Sequence, residues 1–326
     1  MRAVDDSGMT RAVVATAYGG PEVLSVIETP VGAPGPDEVL ISVRAAGTNP
    51  IDYKLYSGNM GRDPARLPMR LGSEVAGLVT VVGGSAYGVE GPGGLVGAGD
   101  EVIAYRVAGG YAADLVVPAS SVLRKPPTLS FEQASGLMLT GVTAVHALTV
   151  VRVGAGDTVL VYGASGGVGL MAIQLAALSG ARVIGTASPS AHALVRELGA
   201  EPVTYGAGLE ERLRDLAPDG VDAAVDLAGG DEALDTSLAL VADRDRIVTA
   251  VASRRTFDSG IKVIGGAPGA DPGAEIRSAA RLELARLAGD GKLRIVVART
   301  YPLAGVADAH RELATGHAHG KIVLVP

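Results

Sequence analysis

The chain has 326 residues and no cysteine, no tryptophan and only two phenylalanines. Without a thiol there are no disulfides, thiolate nucleophiles, iron–sulfur clusters or cysteine-based zinc sites. A formal net charge of −7 and the lack of any basic run argue against a nucleic-acid surface, which needs clustered Lys and Arg. The shortage of aromatic rings removes the stacking platforms such a surface would use. The N-terminal residues MRAVDDSGMT carry no apolar core of the signal-peptide type, so a cytoplasmic protein is expected. Charge is also missing from Thr158 to Ala181, a run long enough to raise a membrane span. Five glycines interrupt it, and a buried strand, turn and helix account for it better.

What is present is apolar and rich in turns: 48% hydrophobic residues and 46 glycines, enough to bury a sizeable core in two domains. Val159-Leu-Val-Tyr-Gly163-Ala-Ser-Gly166-Gly-Val-Gly169 is the most informative stretch. A strand, a glycine turn and an apolar helix follow one another there. In a dinucleotide-binding turn the first glycine permits the bend and the second admits a pyrophosphate to the backbone. The third lets helix and strand pack. The helix N-terminus then offers free N–H groups to phosphate.

Short apolar runs with Gly and Pro punctuation, including strands near 39–44, 74–82, 100–105 and 111–117, predict an irregular, mainly antiparallel β domain. The span Gly83–Gly99 reads as a long surface connection. Ser130 is placed as the N-cap of a helix over 131–151. Strands and helices then alternate: Thr158–Tyr162, a helix to Leu178, Arg182–Thr186, a helix over 191–198, and strands at 221–227, 246–251 and 261–264. A helix over 274–287, a strand at 293–298, a helix at 306–313 and a strand at 321–325 complete the chain. The fold class is therefore α/β, a doubly wound parallel sheet joined to the β domain.

A carboxylate that would bind the ribose 2′-hydroxyl of NAD is missing after Arg182–Thr186, and the first one met is Glu197. NADPH is therefore expected over NADH, with Ser188, His192, Arg196 and Tyr205 as candidate phosphate contacts. Of these Ser188 reads as a contact and Arg196 as a solvated helix position. His317 and His319 could chelate a metal, but a polar turn before the last strand is preferred. Gly163-Ala-Ser165-Gly166-Gly167 also fits a Gly-x-Ser-x-Gly nucleophile elbow, with Asp226 and His310 following in hydrolase order. Gly169 has no use in that reading.

Taken together the chain resembles the medium-chain dehydrogenase/reductase family, in its zinc-independent quinone oxidoreductase (zeta-crystallin-like) branch. The resemblance runs through Gly20-Pro-Glu-Val-Leu, Gly47-Thr-Asn49-Pro50-Ile-Asp52, Gly72-Ser-Glu74-Val-Ala-Gly77, Gly99-Asp100-Glu-Val and Gly109-Gly-Tyr-Ala. It continues through Gly163 to Gly169, Glu197-Leu-Gly-Ala, Gly291-Lys-Leu and Gly320-Lys321-Ile-Val-Leu. It implies a GroES-like catalytic domain over 1–126, a Rossmann domain over 127–266 and a return to the catalytic domain over 267–326. Zinc-dependent relatives have Cys near Ala46-Gly47-Thr48 and His at Ser73, so no catalytic zinc is expected.

The resemblance further implies hydride transfer from NADPH to a quinone or activated alkene, with the cofactor in the cleft between the domains. Asn49, Pro50, Asp52 and Lys54 would lie near the nicotinamide half, with Thr143 and His146 on the helix that opens the cofactor domain. Gly163, Gly166, Gly167 and Val168 would meet the pyrophosphate, and Ser188, His192 and Tyr205 the adenosine phosphate. Ala250, Val251 and Ser253 would follow the strand beneath the nicotinamide. Tyr53 is the first candidate for proton donor or substrate contact, Asn49 positions ribose and nicotinamide, and Asp52 reads equally well as a turn cap. Lys54, Tyr56, His146 and His192 depart from the residues common among relatives. A homodimer paired through the edge strand 261–264 is expected, with a small-molecule substrate and neither nucleic acid nor membrane as partner. An alkene reductase and a non-catalytic NADPH-binding protein stand as alternatives.

Overall fold

The computed structural model describes residues 8–84 and 88–326. The reading of residues 1–7 as lacking a signal core, and that of 85–87 as part of a connection, lie outside the described residues. The chain divides into two units: one of residues 1–139, 285–291 and 295–326, the other of 140–284 and 292–294.

In the first unit Glu38–Gly47 is the hub of a seven-stranded sheet. Eight of its ten residues are buried, because both faces are covered. It pairs antiparallel with Glu74–Val82, Asp114–Pro118 and, at the far end of the chain, Lys321–Val325. Glu101–Tyr105 and Val122–Arg124 extend the sheet on one side, and Val297–Pro302 on the other. A three-stranded sheet of Leu24–Pro30, Met9–Ala15 and Met69–Arg70 accompanies it. Val39, Ile41, Val75, Val102, Tyr111 and Leu324 join its core, each large side chain contributing about 1.5–3 kcal/mol.

The second unit is a six-stranded parallel sheet. Its order is Glu201–Val203, Arg182–Thr186, Thr158–Tyr162, Ala223–Asp226, Ile247–Thr249, Lys262–Val263. This is the doubly wound order, which reverses direction between the first and fourth strands and opens a crevice at their carboxyl ends. Val159, Leu160 and Val161 are wholly buried in the central strand, and helix Gly167–Leu178 buries Leu170, Met171, Ala172, Ile173 and Gln174. Burial on all sides explains the charge-free run. No helix among the described residues is long and apolar enough to cross a membrane.

Three local expectations are corrected. The helix expected over 131–151 is two helices, Phe131–Ser135 and Met138–Val150. Ser130 caps the first through a capping box with Gln133, but the Leu139 N–H donates to the Glu74 carboxylate, outside the helix. Part of the supposed connection 83–99 is a hairpin of Val89–Gly91 and Gly94–Val96, turning at Pro92-Gly93 and burying Val89 and Val96. The strand expected at 293–298 is instead Val297–Pro302, because the Arg294 N–H is engaged by Gln174 Oε1, a side chain of its own unit, and is not free for the sheet. Helices Pro50–Tyr56, Leu209–Leu216 and Asp231–Leu240 were not anticipated.

Candidate functional site

The glycine turn sits at the carboxyl end of Thr158–Tyr162. Gly163 adopts φ +70, a left-handed conformation that side chains resist, and its N–H donates to Thr186 Oγ at 3.0 Å, tying the first strand to the second. A Cβ on Gly169 would lie 2.1 Å from the Gly163 carbonyl oxygen, so only glycine allows this helix to approach its strand. Gly166 is the N-cap and meets only that same oxygen, at 3.4 Å. Its outer face is therefore open. Leu170 makes the first helical bond, to Gly166, and the N–H groups of Gly167, Val168 and Gly169 precede it at the positive end of the helix. Gly163, Ser165, Gly166, Gly167 and Val168 are all half-buried. These features fit a dinucleotide pyrophosphate.

At the end of the second strand the fold gathers Ser188, His192 and the Thr204–Tyr205 segment. Ala187 N–H donates to Val203 O at 3.0 Å, and His192 Nε2 lies 3.3 Å from Ala187 O and 3.4 Å from Thr204 Oγ. Ser188 and Ser190 hydroxyls are 2.9 Å apart. Tyr205 is half exposed. Arg196 instead lines a cavity of about 450 Å³ with Ala181, Arg182 and Val183, at the start of the strand and not its end.

In the first unit Asn49 caps helix Pro50–Tyr56, and the Asp52 carboxylate accepts its N–H at 2.8 Å in a capping box. Pro50 is exposed, while Tyr53 and Lys54 are half-buried on the helix. The Asn49 side chain is buried and turned inward. It donates to Glu74 Oε1 at 3.0 Å, and its Oδ1 accepts from Lys321 Nζ at 2.7 Å. Lys321 also donates to Thr48 O and Glu74 Oε1, so its three protons have three acceptors.

Behind the helix, Tyr111 donates to Asp52 at 2.7 Å and lies 3.3 Å from His310 Nε2, whose Nδ1 is 2.9 Å from the Tyr56 hydroxyl. With the Tyr111 proton on Asp52, His310 Nε2 must carry the hydrogen and Nδ1 must accept from Tyr56. Burial raises Asp52 to about 6 and lowers His310 to about 4. Tyr56 and Tyr111 are pushed well above the usual phenol range, mainly by burial. Glu74, Tyr111, His310 and Lys321 were absent from the sequence-based site. They come from places up to 247 residues apart along the chain, and only the sheet brings them together.

His146, expected at the cofactor, is wholly buried in an internal cluster. Arg277 Nε donates to its Nδ1 at 3.2 Å, and Nε2 faces Asp271 at 3.1 Å. Burial is the main cause of its lowered pKa. Thr143 is buried one turn earlier on the same helix. Ala250 and Val251 are half-buried after the fifth strand, and Ser253 caps the short helix Arg254–Asp258. Asp226, at the crevice end of the fourth strand, accepts from Ala228 N, Gly229 N and Thr249 Oγ.

The hydrolase alternative has no triad. Asp226 is committed to those three donors, and His310 to Tyr56 and Tyr111. No group of three or more His, Cys, Asp or Glu that could hold a metal exists among the described residues, and Glu74 is already held by Lys321, Asn49 and Leu139. His317 Nδ1 is engaged by Thr315 O.

Two family models match the chain, an alcohol dehydrogenase GroES-like domain over residues 35–127 and a zinc-binding dehydrogenase over 198–324. The quinone oxidoreductase of Mus musculus is 33% identical, over 97% of this chain and 98% of its own. A mycobacterial structure complexed with NADPH superposes with a TM-score of 0.82 at 31% identity, covering 97% of this chain and 100% of that one. A structure described as an NAD-dependent alcohol dehydrogenase is equally close, with a TM-score of 0.82 at 31% identity over 97% and 99%. Glycine turn, sheet order and near-complete coverage agree. The chain belongs to the medium-chain dehydrogenase/reductase superfamily of nicotinamide-dependent oxidoreductases, in its quinone oxidoreductase branch.

Proposed function

We propose that the chain is a cytoplasmic NADPH-dependent quinone oxidoreductase that works without zinc, the bound reduced nicotinamide supplying a hydride to a quinone or an activated alkene. The observation that carries the cofactor choice is the end of the second strand. The chain that follows this strand carries no carboxylate before Glu197 to take a ribose 2′-hydroxyl or repel a 2′-phosphate, while Ser188, His192 and the Tyr205 segment converge on it. The Gly166–Val168 backbone would hold the pyrophosphate through the helix N-terminus. Ala250, Val251 and Ser253 would border the nicotinamide, with Thr143 more remote.

In the first unit Asn49 positions through its inward network, and Asp52 fixes the helix that presents Tyr53 and Lys54. Alignment of cofactor and acceptor supplies most of the rate for a quinone. An enone would also need a proton donor, and Tyr53 is our candidate for that role. Zinc-free chemistry is supported by the lack of any cysteine and by Ser73, whose hydroxyl is a poor zinc ligand; among the described residues no group of three or more potential ligands gathers. A homodimer would pair through the edge segment 261–264, which holds the last strand of the sheet, Lys262–Val263, and whose Val263 O accepts from Asp271 N–H.

The test is to follow loss of reduced-nicotinamide absorbance with a panel of quinones and enones, using NADPH and NADH side by side. NADPH-specific quinone turnover is expected. Turnover of enones alone would move the assignment to an alkene reductase. Cofactor binding without turnover of any acceptor would favour a non-catalytic NADPH-binding protein.

A further inference from the structure

The segment that presents Tyr205 has no strand or helix of its own, yet it is fixed at both sides. The Arg212 guanidinium, on helix Leu209–Leu216, reaches back over it. Nε and one terminal nitrogen donate to Thr204 O at 3.2 and 2.8 Å, and the same terminal nitrogen donates to Gly206 O at 2.9 Å. The other terminal nitrogen donates to Ala207 O at 2.8 Å. Three turn carbonyls on either side of Tyr205, those of Thr204, Gly206 and Ala207, are thus bound by one planar fork, a geometry that a lysine ammonium cannot match. From the opposite side the Glu232 carboxylate accepts the Gly206 N–H at 3.0 Å. Gly206 and Gly208 take left-handed φ values of +93 and +77, so the turn depends on these bonds and not on local side-chain preference. Tyr205 itself stays half exposed between these anchors.

We infer that Arg212 is a positioning residue for the 2′-phosphate end of NADPH, acting through the Tyr205 turn that it clamps. The inference rests on the NADPH reading of Ser188, His192 and Tyr205 proposed above. Arg212 spends its donors on carbonyls and need not touch the cofactor. Its role is to hold Tyr205 and Thr204 beside His192 before the cofactor arrives, so that their ordering is not charged against binding.

The experiment measures NADPH and NADH binding to the full chain without any acceptor, by quenching or enhancement of nicotinamide fluorescence. Wild type, Arg212→Ala, Arg212→Lys, Tyr205→Ala and the Arg212→Ala/Tyr205→Ala double variant are compared. Arg212→Ala is expected to weaken NADPH about tenfold and to leave NADH affinity nearly unchanged. Arg212→Lys should lose nearly as much. The double variant should be no weaker than the worse single variant, because both remove one device. Equal losses for NADPH and NADH, or additive losses in the double variant, overturn the inference. A wild type that binds NADH as tightly as NADPH overturns the underlying reading and the inference with it. A wild type that prefers NADPH, with Arg212→Ala unchanged, overturns the inference alone.

Discussion

Lys321 places its ammonium 2.9 Å from Glu74 Oε1, with the two side chains 5% and 0% exposed. The last strand of the chain thereby locks the carboxylate on which Asn49 and the Leu139 N–H, in the first turn of helix Met138–Val150, also depend. Lys321→Met should cost about 3–5 kcal/mol, because it leaves a buried carboxylate unpaired. Adding Glu74→Gln should restore part of that loss by removing the charge. Urea unfolding of both variants checks this, and a Lys321→Met midpoint equal to wild type would refute the role given to the pair.

Asp52 and His310 pull stability in opposite directions over the same pH range. The Asp52 pKa is raised from 3.8 to about 6, so its contribution is fully present below 3.8 and lost as pH rises through 6. The His310 pKa is lowered from 6.5 to about 4, so its contribution is present above 6.5 and lost as pH falls through 4. Each amounts to about 3 kcal/mol, and the two offset. In Asp52→Asn the His310 contribution stands alone, and stability should climb between pH 4 and 6.5 by about 3 kcal/mol more than in wild type. Denaturant melts across that range would show no added slope if the two groups were not so shifted.

The glycine turn separates packing from binding. Gly169→Ala drives a Cβ to 2.1 Å from backbone oxygen and should cost about 1–3 kcal/mol or more, with loss of cofactor binding. Gly166→Ala has room on the protein side, so its melting temperature should hold while NADPH affinity falls about tenfold or more. Thermal melts and fluorescence titrations of the pair provide the comparison. A Gly166→Ala protein that binds normally would remove the pyrophosphate from this turn.

Ser188→Asp puts the missing carboxylate at the end of the second strand. NADPH affinity should drop about 30-fold, from like-charge repulsion of about 2 kcal/mol, while NADH is held or improved. The ratio of the two dissociation constants is the readout, and an unchanged ratio would place the 2′-phosphate elsewhere.

Tyr53→Phe should slow enone reduction by about 10²-fold or more if its hydroxyl is the donor, and leave quinone reduction nearly intact. Ser165→Ala should leave oxidoreductase turnover within a few-fold of wild type. Steady-state rates with one quinone and one enone decide both, and an unaffected enone rate in Tyr53→Phe returns that tyrosine to packing.

Elements whose cause is local are legible in the order of the residues. A β-rich run ending in Gly163, with glycines at 166 and 169, can do little but turn into a helix, and Thr158–Tyr162, Arg182–Thr186, Glu74–Val82 and Lys321–Val325 are found where their patterns put them. Ser130 capped a helix as its chemistry required, but that helix stopped at Ser135 because a distant carboxylate bonds the Leu139 N–H. Only the tertiary structure could decide such long-range pairings. It turned Asn49 inward onto Glu74 and Lys321, and set Asp52 against Tyr111 and His310. It also closed His146 between Asp271 and Arg277 and brought Arg212 over the Tyr205 turn. A side chain's spacing in sequence fixes the face it occupies on its own strand or helix. The partner it meets, and hence its charge and hydrogen bonds, depends on which distant element the sheet order lays beside it.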